Sequence, residues 1–160
     1  MSRFLTLVAA VLALCPPMRA QDNLERFDQV TIFPASATFY IASVSMNYQP
    51  FVRHKNVFSS TYSARMSPFF FYSEKGHIWI TFSDEALLRA ILGEAVNFTG
   101  RALSDNGDAR RIEGTATPTG PWSGRIRVRV FISRRIVLNY NTTYQLQGPT
   151  AAPVTPRPAR

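Results

Sequence analysis

The sequence predicts a mainly β fold: a single antiparallel β-sandwich or small barrel of seven to eight strands, with one short helix at about 84–92. Segments rich in β-branched and aromatic residues recur through 28–147, and short turn sequences separate them. Only one segment repeats its apolar residues at helical spacing. A meander of short strands with one helix is typical of antiparallel sandwiches and barrels.

The first twenty residues have the order of a secretory signal peptide. Arg3 gives a basic start, residues 4–15 form an uncharged apolar run, and two prolines end that run before Ala20. The run is too short for a membrane span, which needs about 20 residues. We expect export to the periplasm or extracellular space, with cleavage after Ala20. Lipid attachment at Cys15 and an uncleaved anchor remain alternatives, although Leu14 is large for a lipid-attachment box.

Composition sets the chemistry of the exported chain. Cys15 is the only cysteine, so cleavage would leave no disulfide and no thiolate metal ligand. Cleavage would also lower the formal net charge from +8 to +6, because it removes Arg3 and Arg19 and no acidic residue. Lys55 and Lys75 are then the only lysines among mainly arginine cations. Such a balance suits anionic partners.

The chain divides into four predicted parts: a signal peptide (1–20), a flexible lead-in (21–27), a β-rich domain (28–147) and a proline-rich disordered tail (148–160). Early strands are predicted at 30–33, 37–46 and 57–66. The aromatic run Phe69–Tyr72 is predicted to pair with 77–82 as a hairpin, through a turn at 74–76.

The helix and the later strands have clearer signals. Ser83 is a suitable N-cap, Asp84 and Glu85 suit the first helical turn, and Gly93 suits its end. Strands are then predicted at 96–103, 110–117, 124–133 and 136–146. Asn106-Gly107 favours a tight turn between the first two of these strands.

An arginine stripe is the most distinctive candidate surface. Arg125, Arg127 and Arg129 alternate along one predicted strand and should share a face, with Arg110 and Arg111 on the preceding strand. This pattern predicts an anion-binding face for a surface polymer, a lipid headgroup or an envelope protein. A solvated face that discourages edge pairing explains the same pattern.

An apolar pocket is the second candidate site. Phe69, Phe70, Phe71 and Trp79 could line a ligand cavity inside a barrel. Ordinary core packing also explains these aromatic residues and is the more frequent arrangement, and both interpretations stay open.

Catalytic and metal signals are weak. His54 and His77 have no second ligand at metal-binding spacing, and no serine lies in a nucleophile-elbow motif. The sequence therefore predicts no cofactor and no metal site, and favours a non-catalytic binding or structural module with an arginine-rich, anion-contacting face. A carrier of a small apolar ligand and an outer-membrane or envelope-associated barrel are the alternatives, and a dispersed active site is not excluded. Export argues against nucleic acid as the partner, and no transmembrane helix is expected after signal removal.

Overall fold

The chain forms an eight-stranded closed antiparallel β-barrel with one short helix. We describe it from a computed structural model, which covers residues 27–69 and 72–147. The predicted fold class is confirmed, and the barrel rather than the sandwich is the form adopted. The predicted signal peptide and the proline-rich tail lie outside the described residues.

The strands and the helix follow one another along the chain with short connections. Their bounds in the described residues are β1 Gln29–Ile32, β2 Ala35–Phe39, β3 Ala42–Tyr48, β4 Phe51–His54, β5 Val57–Ser67, β6 Ser73–Thr81, α1 Asp84–Ile91, β7 Val96–Ser104, β8 Ala109–Gly120, β9 Ser123–Phe131 and β10 Val137–Gln147.

The barrel closes because β5 pairs with β6 as well as with β4. The ring runs β1, β10, β9, β8, β7, β6, β5, β4 and back to β1. The β2–β3 hairpin adds to this ring, because β3 pairs with the second half of β5, residues 62–67. Every pairing is antiparallel. Each strand of the ring therefore has a paired neighbour on both sides, which limits the exposed edges that favour aggregation, whereas β2 is paired only with β3.

The wall is interrupted where two prolines break long strands into shorter ones, and a second stretch without registered pairing lies between β2 and residues 137–143 of β10. Pro34 separates β1 from β2, and Pro50 separates β3 from β4. The β1–β4 register ends at Val30↔Phe51, and the β2–β3 register begins at Ala35↔Met46. The paired register therefore skips residues 31–34 on one side and 47–50 on the other. Proline has no N–H to donate, which explains why pairing stops at these positions.

Alternation along the strands sorts side chains between the two faces of the wall. On β9, Ile126 and Val130 are buried inside the barrel, while Arg125, Arg127 and Arg129 are exposed outside. On β10, Leu138, Tyr140, Tyr144 and Leu146 are buried by the same two-residue period. The interior is therefore apolar and the outer surface of these strands is polar.

The helix covers one end of the barrel and begins where the sequence predicts. The Ser83 side chain accepts a hydrogen bond from the Ala86 N–H at 3.1 Å, as an N-cap should. Leu87 and Ala90 are buried in a cluster with the ends of β7, β8, β9 and β10. Phe27, which the predicted division placed in the flexible lead-in, is buried in that cluster and packs against Trp122.

The predicted turn at 74–76 is wrong, because these residues lie inside β6. Strand β6 pairs with β5, so the predicted hairpin with the aromatic run is also wrong. Gly76 is required for close approach rather than for turning: a Cβ there would lie 2.2 Å from the Leu103 carbonyl oxygen. The glycine lets β7 approach β6 closely.

Candidate functional site: the barrel cavity

The barrel encloses a cavity of about 510 Å³. This volume falls within the range of small-molecule sites, roughly 300–1,000 Å³. Its walls are formed mainly by the inward-facing apolar side chains of many strands, among them Val44, Phe58, Ile78, Ile112, Val128 and Leu138.

The two ends of the cavity differ. At the helix end, the lining residues Leu87 and Ala90 are buried, so this end is covered. At the opposite end, the lining includes the exposed residues Tyr72, Asn106 and Asp108. The cavity therefore has its mouth at the end opposite the helix, where the β2–β3, β7–β8 and β9–β10 connections lie.

A polar cluster faces the cavity near its mouth. The Tyr62 hydroxyl donates to Glu74 Oε1 at 2.5 Å, and Arg110 Nη2 donates to Glu74 Oε2 at 3.3 Å. Arg110 Nη2 also lies 3.1 Å from Asp108 Oδ2. The side chains of Arg110 and Glu74 are only 15% and 29% exposed. The guanidinium charge is thus compensated by neighbouring carboxylates within a largely apolar interior.

Two polar atoms of the inner wall lack a hydrogen-bond partner in the described part of the chain. They are Arg110 Nε and the hydroxyl oxygen of Tyr140. Tyr140 is 1% exposed, and both residues line the cavity. Buried polar groups are usually satisfied by protein, water or ligand, so these two groups retain unused hydrogen-bonding capacity.

Burial keeps the interior tyrosines protonated over a wide pH range. Desolvation raises the pKa of Tyr48 to about 12. Desolvation also raises the pKa of Tyr140, and that of Tyr62 is raised by desolvation and then by its hydrogen bond to Glu74. Near neutral pH, these hydroxyls are uncharged groups that can both donate and accept.

The structure divides the five predicted anion-binding arginines between the two faces of the wall. Arg125, Arg127, Arg129 and Arg111 are exposed on the outer face, while Arg110 lines the cavity. The reason is the two-residue period of a strand, which turns adjacent residues to opposite faces.

Part of the outer arginine face is already paired within the protein. Arg129 Nη2 lies 2.8 Å from Glu113, which also bonds Arg111. Both guanidinium groups lie over the Phe131 ring, with Cζ at 3.8 Å from its centroid for Arg111 and 5.8 Å for Arg129. This network neutralises part of the charge that the sequence pattern offers to a partner.

Phe69 and Trp79, the predicted pocket residues that the structure describes, do not line the cavity. Trp79 stacks on His77 outside the wall, with Arg101 Cζ 5.1 Å from its ring centroid. Its neighbours Ile78 and Ile80 line the cavity instead. Phe69 lines a shallow hollow at the mouth, and Phe70 and Phe71 lie outside the described residues.

Sequence reasoning missed Glu74, Tyr62 and Tyr140 as site residues. The alternation of β10 does give a signal, because it places Tyr140 on the same face as Leu138 and therefore puts a hydroxyl into the core. No comparable signal marks Glu74, because its segment has the composition of a turn.

The fold and cavity define the protein as a closed β-barrel with an apolar interior site. The chain matches no protein-family model, no curated protein and no solved structure at a significant level. Of the residues described, no helix is long and apolar enough to cross a membrane. In the same residues, no group of three or more histidine, cysteine or acidic side chains could hold a metal ion.

Proposed function

We propose that the protein binds and carries a small, mainly apolar ligand inside its barrel. The observation that carries this proposal is the cavity itself, which combines apolar walls, one covered end and one mouth. Of the functions that the sequence leaves open, the carrier is the one that uses all three features.

Empty apolar space gives an energetic argument for a ligand. Protein interiors are close-packed, and engineered cavities lower stability by about 24 cal/mol per Å³. A ligand that fills such a hollow restores the lost contacts and stabilises the native state by mass action. A persistent hollow of about 510 Å³ is therefore better explained by a ligand than by imperfect packing.

The outer surface supports a barrel in water over one that spans a membrane. A membrane barrel needs an outward-facing apolar band. The outward positions of β10 are instead polar along its length: Asn139, Asn141, Thr143, Gln145 and Gln147 are exposed. Together with the predicted signal peptide, this surface supports a carrier that works in an aqueous compartment outside the cytoplasm.

Titration with the neutral dye N-phenyl-1-naphthylamine tests the proposal. We expect fluorescence to rise and saturate at one dye molecule per protein. Ala102, a small residue of the cavity wall, gives a blocking variant. In Ala102→Phe the new ring occupies part of the cavity, and we expect the dye to bind about tenfold more weakly or worse.

Leu103→Phe is the matched control, because Leu103 is the next residue on β7 and is exposed on the outer face. It adds a ring outside the barrel and should leave dye binding unchanged. A wild-type titration without saturation, or an equal loss in both variants, would contradict the carrier function.

A further inference from the structure

The unpartnered atoms near the mouth indicate what the ligand carries at its polar end. Arg110 Nε and the Tyr140 hydroxyl are buried, line the cavity and have no hydrogen-bond partner in the described residues. Arg110 Nε can only donate, and the Tyr140 hydroxyl can donate or accept. An oxygen acceptor on the ligand can receive a hydrogen bond from either group.

The charges around these atoms determine which kind of oxygen fits. The Arg110 guanidinium is already paired with Glu74 and Asp108. Glu74 also accepts from Tyr62, so its carboxylate is held in place facing the cavity. A ligand carboxylate at this cluster would meet that negative charge beside a cation that is already paired, and Arg65, the other cation of the lining, is exposed to solvent at the mouth. An uncharged oxygen would meet donors without this repulsion.

We propose that the ligand is a long apolar molecule with an uncharged oxygen head, such as an alcohol, ester or ketone, rather than a fatty acid. Its head lies at the mouth between Tyr140 and Arg110, and its apolar chain extends toward the helix end. This inference rests on the carrier function proposed above.

Displacement of bound N-phenyl-1-naphthylamine by molecules of one chain length tests the head preference. The probes are 1-dodecanol, methyl dodecanoate and sodium dodecanoate at pH 7, each below its aggregation limit. We expect the alcohol and the ester to bind about tenfold or more tightly than the carboxylate. Because the series uses the wild-type protein, its outcome does not depend on any variant folding.

Tyr140→Phe then tests the proposed donor. We expect dodecanol affinity to fall roughly 3- to 10-fold, the worth of one net hydrogen bond, while affinity for the dye, which has no oxygen, stays the same. Thr143→Val is the matched control, because it removes a hydroxyl from the same strand on the outer, exposed face. It should change neither affinity.

The outcomes separate the two proposals. Saturable dye binding with dodecanoate equal to or tighter than dodecanol would overturn the uncharged-head inference and leave the carrier function standing. Failure of the dye and of every probe to bind would overturn both. An equal loss of dodecanol affinity in Tyr140→Phe and Thr143→Val would overturn the assignment of Tyr140 as the donor to the head.

A second inference concerns the rim of the mouth and rests on different residues. The β2–β3 turn presents two adjacent apolar side chains to solvent, Tyr40 at 87% and Ile41 at 83% exposure. The β9–β10 connection lies at the same end, since β10 lies beside β2, and it carries the exposed residues Arg134 and Arg135. Apolar tips beside arginines suit the surface of an anionic bilayer.

We infer that the barrel docks mouth-first on an anionic lipid surface. Acidic groups lie at the same end, but Asp108 is paired with Arg110, and Asp105 belongs to the separate β7–β8 turn. Docking in this orientation would place the cavity mouth against the lipid, from which an apolar molecule can enter without crossing water.

Co-sedimentation with vesicles tests the docking, using phosphatidylcholine alone and with 30% phosphatidylglycerol. We expect binding to the anionic vesicles that falls at least 5-fold in Tyr40→Ser/Ile41→Ser and also in Arg134→Ser/Arg135→Ser. Leu92→Ser is the control, because Leu92 is 78% exposed at the opposite, helix end. Absence of binding to anionic vesicles, or an equal loss in Leu92→Ser, would overturn the inference.

Discussion

The helix end and the mouth end of the barrel are built from different chemistry. At the helix end, apolar side chains from α1 and four strands pack into one buried cluster. At the mouth, Tyr62, Glu74 and Arg110 form a hydrogen-bonded polar cluster, and two polar atoms of the inner wall remain unpaired. The helix end therefore contributes packing to the stability of the fold. In the proposed carrier, the mouth contributes polar groups for ligand binding, and its unpaired atoms lower stability.

Truncating the helix plug should give the largest effect on stability. Leu87 is 3% exposed, and we expect Leu87→Ala to lower the free energy of unfolding by about 2–5 kcal/mol. Leu92→Ala, one turn further along and exposed, should change it by less than about 0.5 kcal/mol. Urea unfolding of the three proteins gives the comparison. Similar values for both variants would show that the helix does not anchor this end.

Alkaline pH should lower the free energy of unfolding through the buried tyrosine Tyr48. The pKa of Tyr48 is raised by burial from near 10 to about 12, so the unfolded chain loses this proton first as pH rises. The stability linked to Tyr48 is fully present below pH 10 and is lost between pH 10 and 12, at a slope approaching about 1.4 kcal/mol per pH unit. Tyr48→Phe should remove this contribution to the pH dependence of the unfolding free energy above pH 10 and leave that dependence unchanged below pH 9. Urea unfolding of both proteins from pH 8 to 11 measures the two pH dependences. Identical slopes for wild type and variant would refute the assignment to Tyr48.

Replacing arginines of the outer face should have the smallest effect on the free energy of unfolding, because exposed ion pairs contribute about 0–1 kcal/mol each. If this face binds anionic polymers, replacing Arg125, Arg127 and Arg129 together by serine should lower the salt concentration that elutes the protein from immobilised heparin. Dye binding in the cavity should not change, since all three side chains lie outside the wall. Equal elution of variant and wild type would leave this face without an anionic partner.

Local patterns predicted most of the strands, the helix cap and the sidedness of β9, because each depends on residues within a few positions of one another. The predicted single strand at 37–46 is wrong, since β2 ends at Phe39 and β3 begins at Ala42, and β4 lies in a segment where no strand was predicted. The polar cluster could not be predicted in this way. Glu74 and Arg110 are 36 residues apart, on strands β6 and β8, which are separated in the ring by β7. They meet only because the wall curves into a closed ring. The adjacent residues Arg110 and Arg111 show the same limit. Alternation along β8 places their side chains on opposite faces of the sheet. Which of the two faces becomes the barrel interior is decided only when the sheet closes.

The gap in the wall between residues 31–34 and 47–50 makes the barrel unevenly stiff. Parting β8 from β9 would break a ladder that runs from Arg111 to Gly120, whereas parting the wall at the gap breaks no paired register. Ile32 and Tyr48 flank the gap and both line the cavity. Each side of the gap stays bonded to its other neighbour, since the Phe33 N–H donates to the Thr143 carbonyl and the Gln49 N–H donates to the Thr61 carbonyl. Opening of the wall should therefore concentrate between the two sides of the gap, and amide hydrogen exchange should be slowest in the middle of β8 and β9. If the barrel carries a ligand as proposed, opening at this gap can set how quickly the ligand exchanges, independently of how tightly it is held.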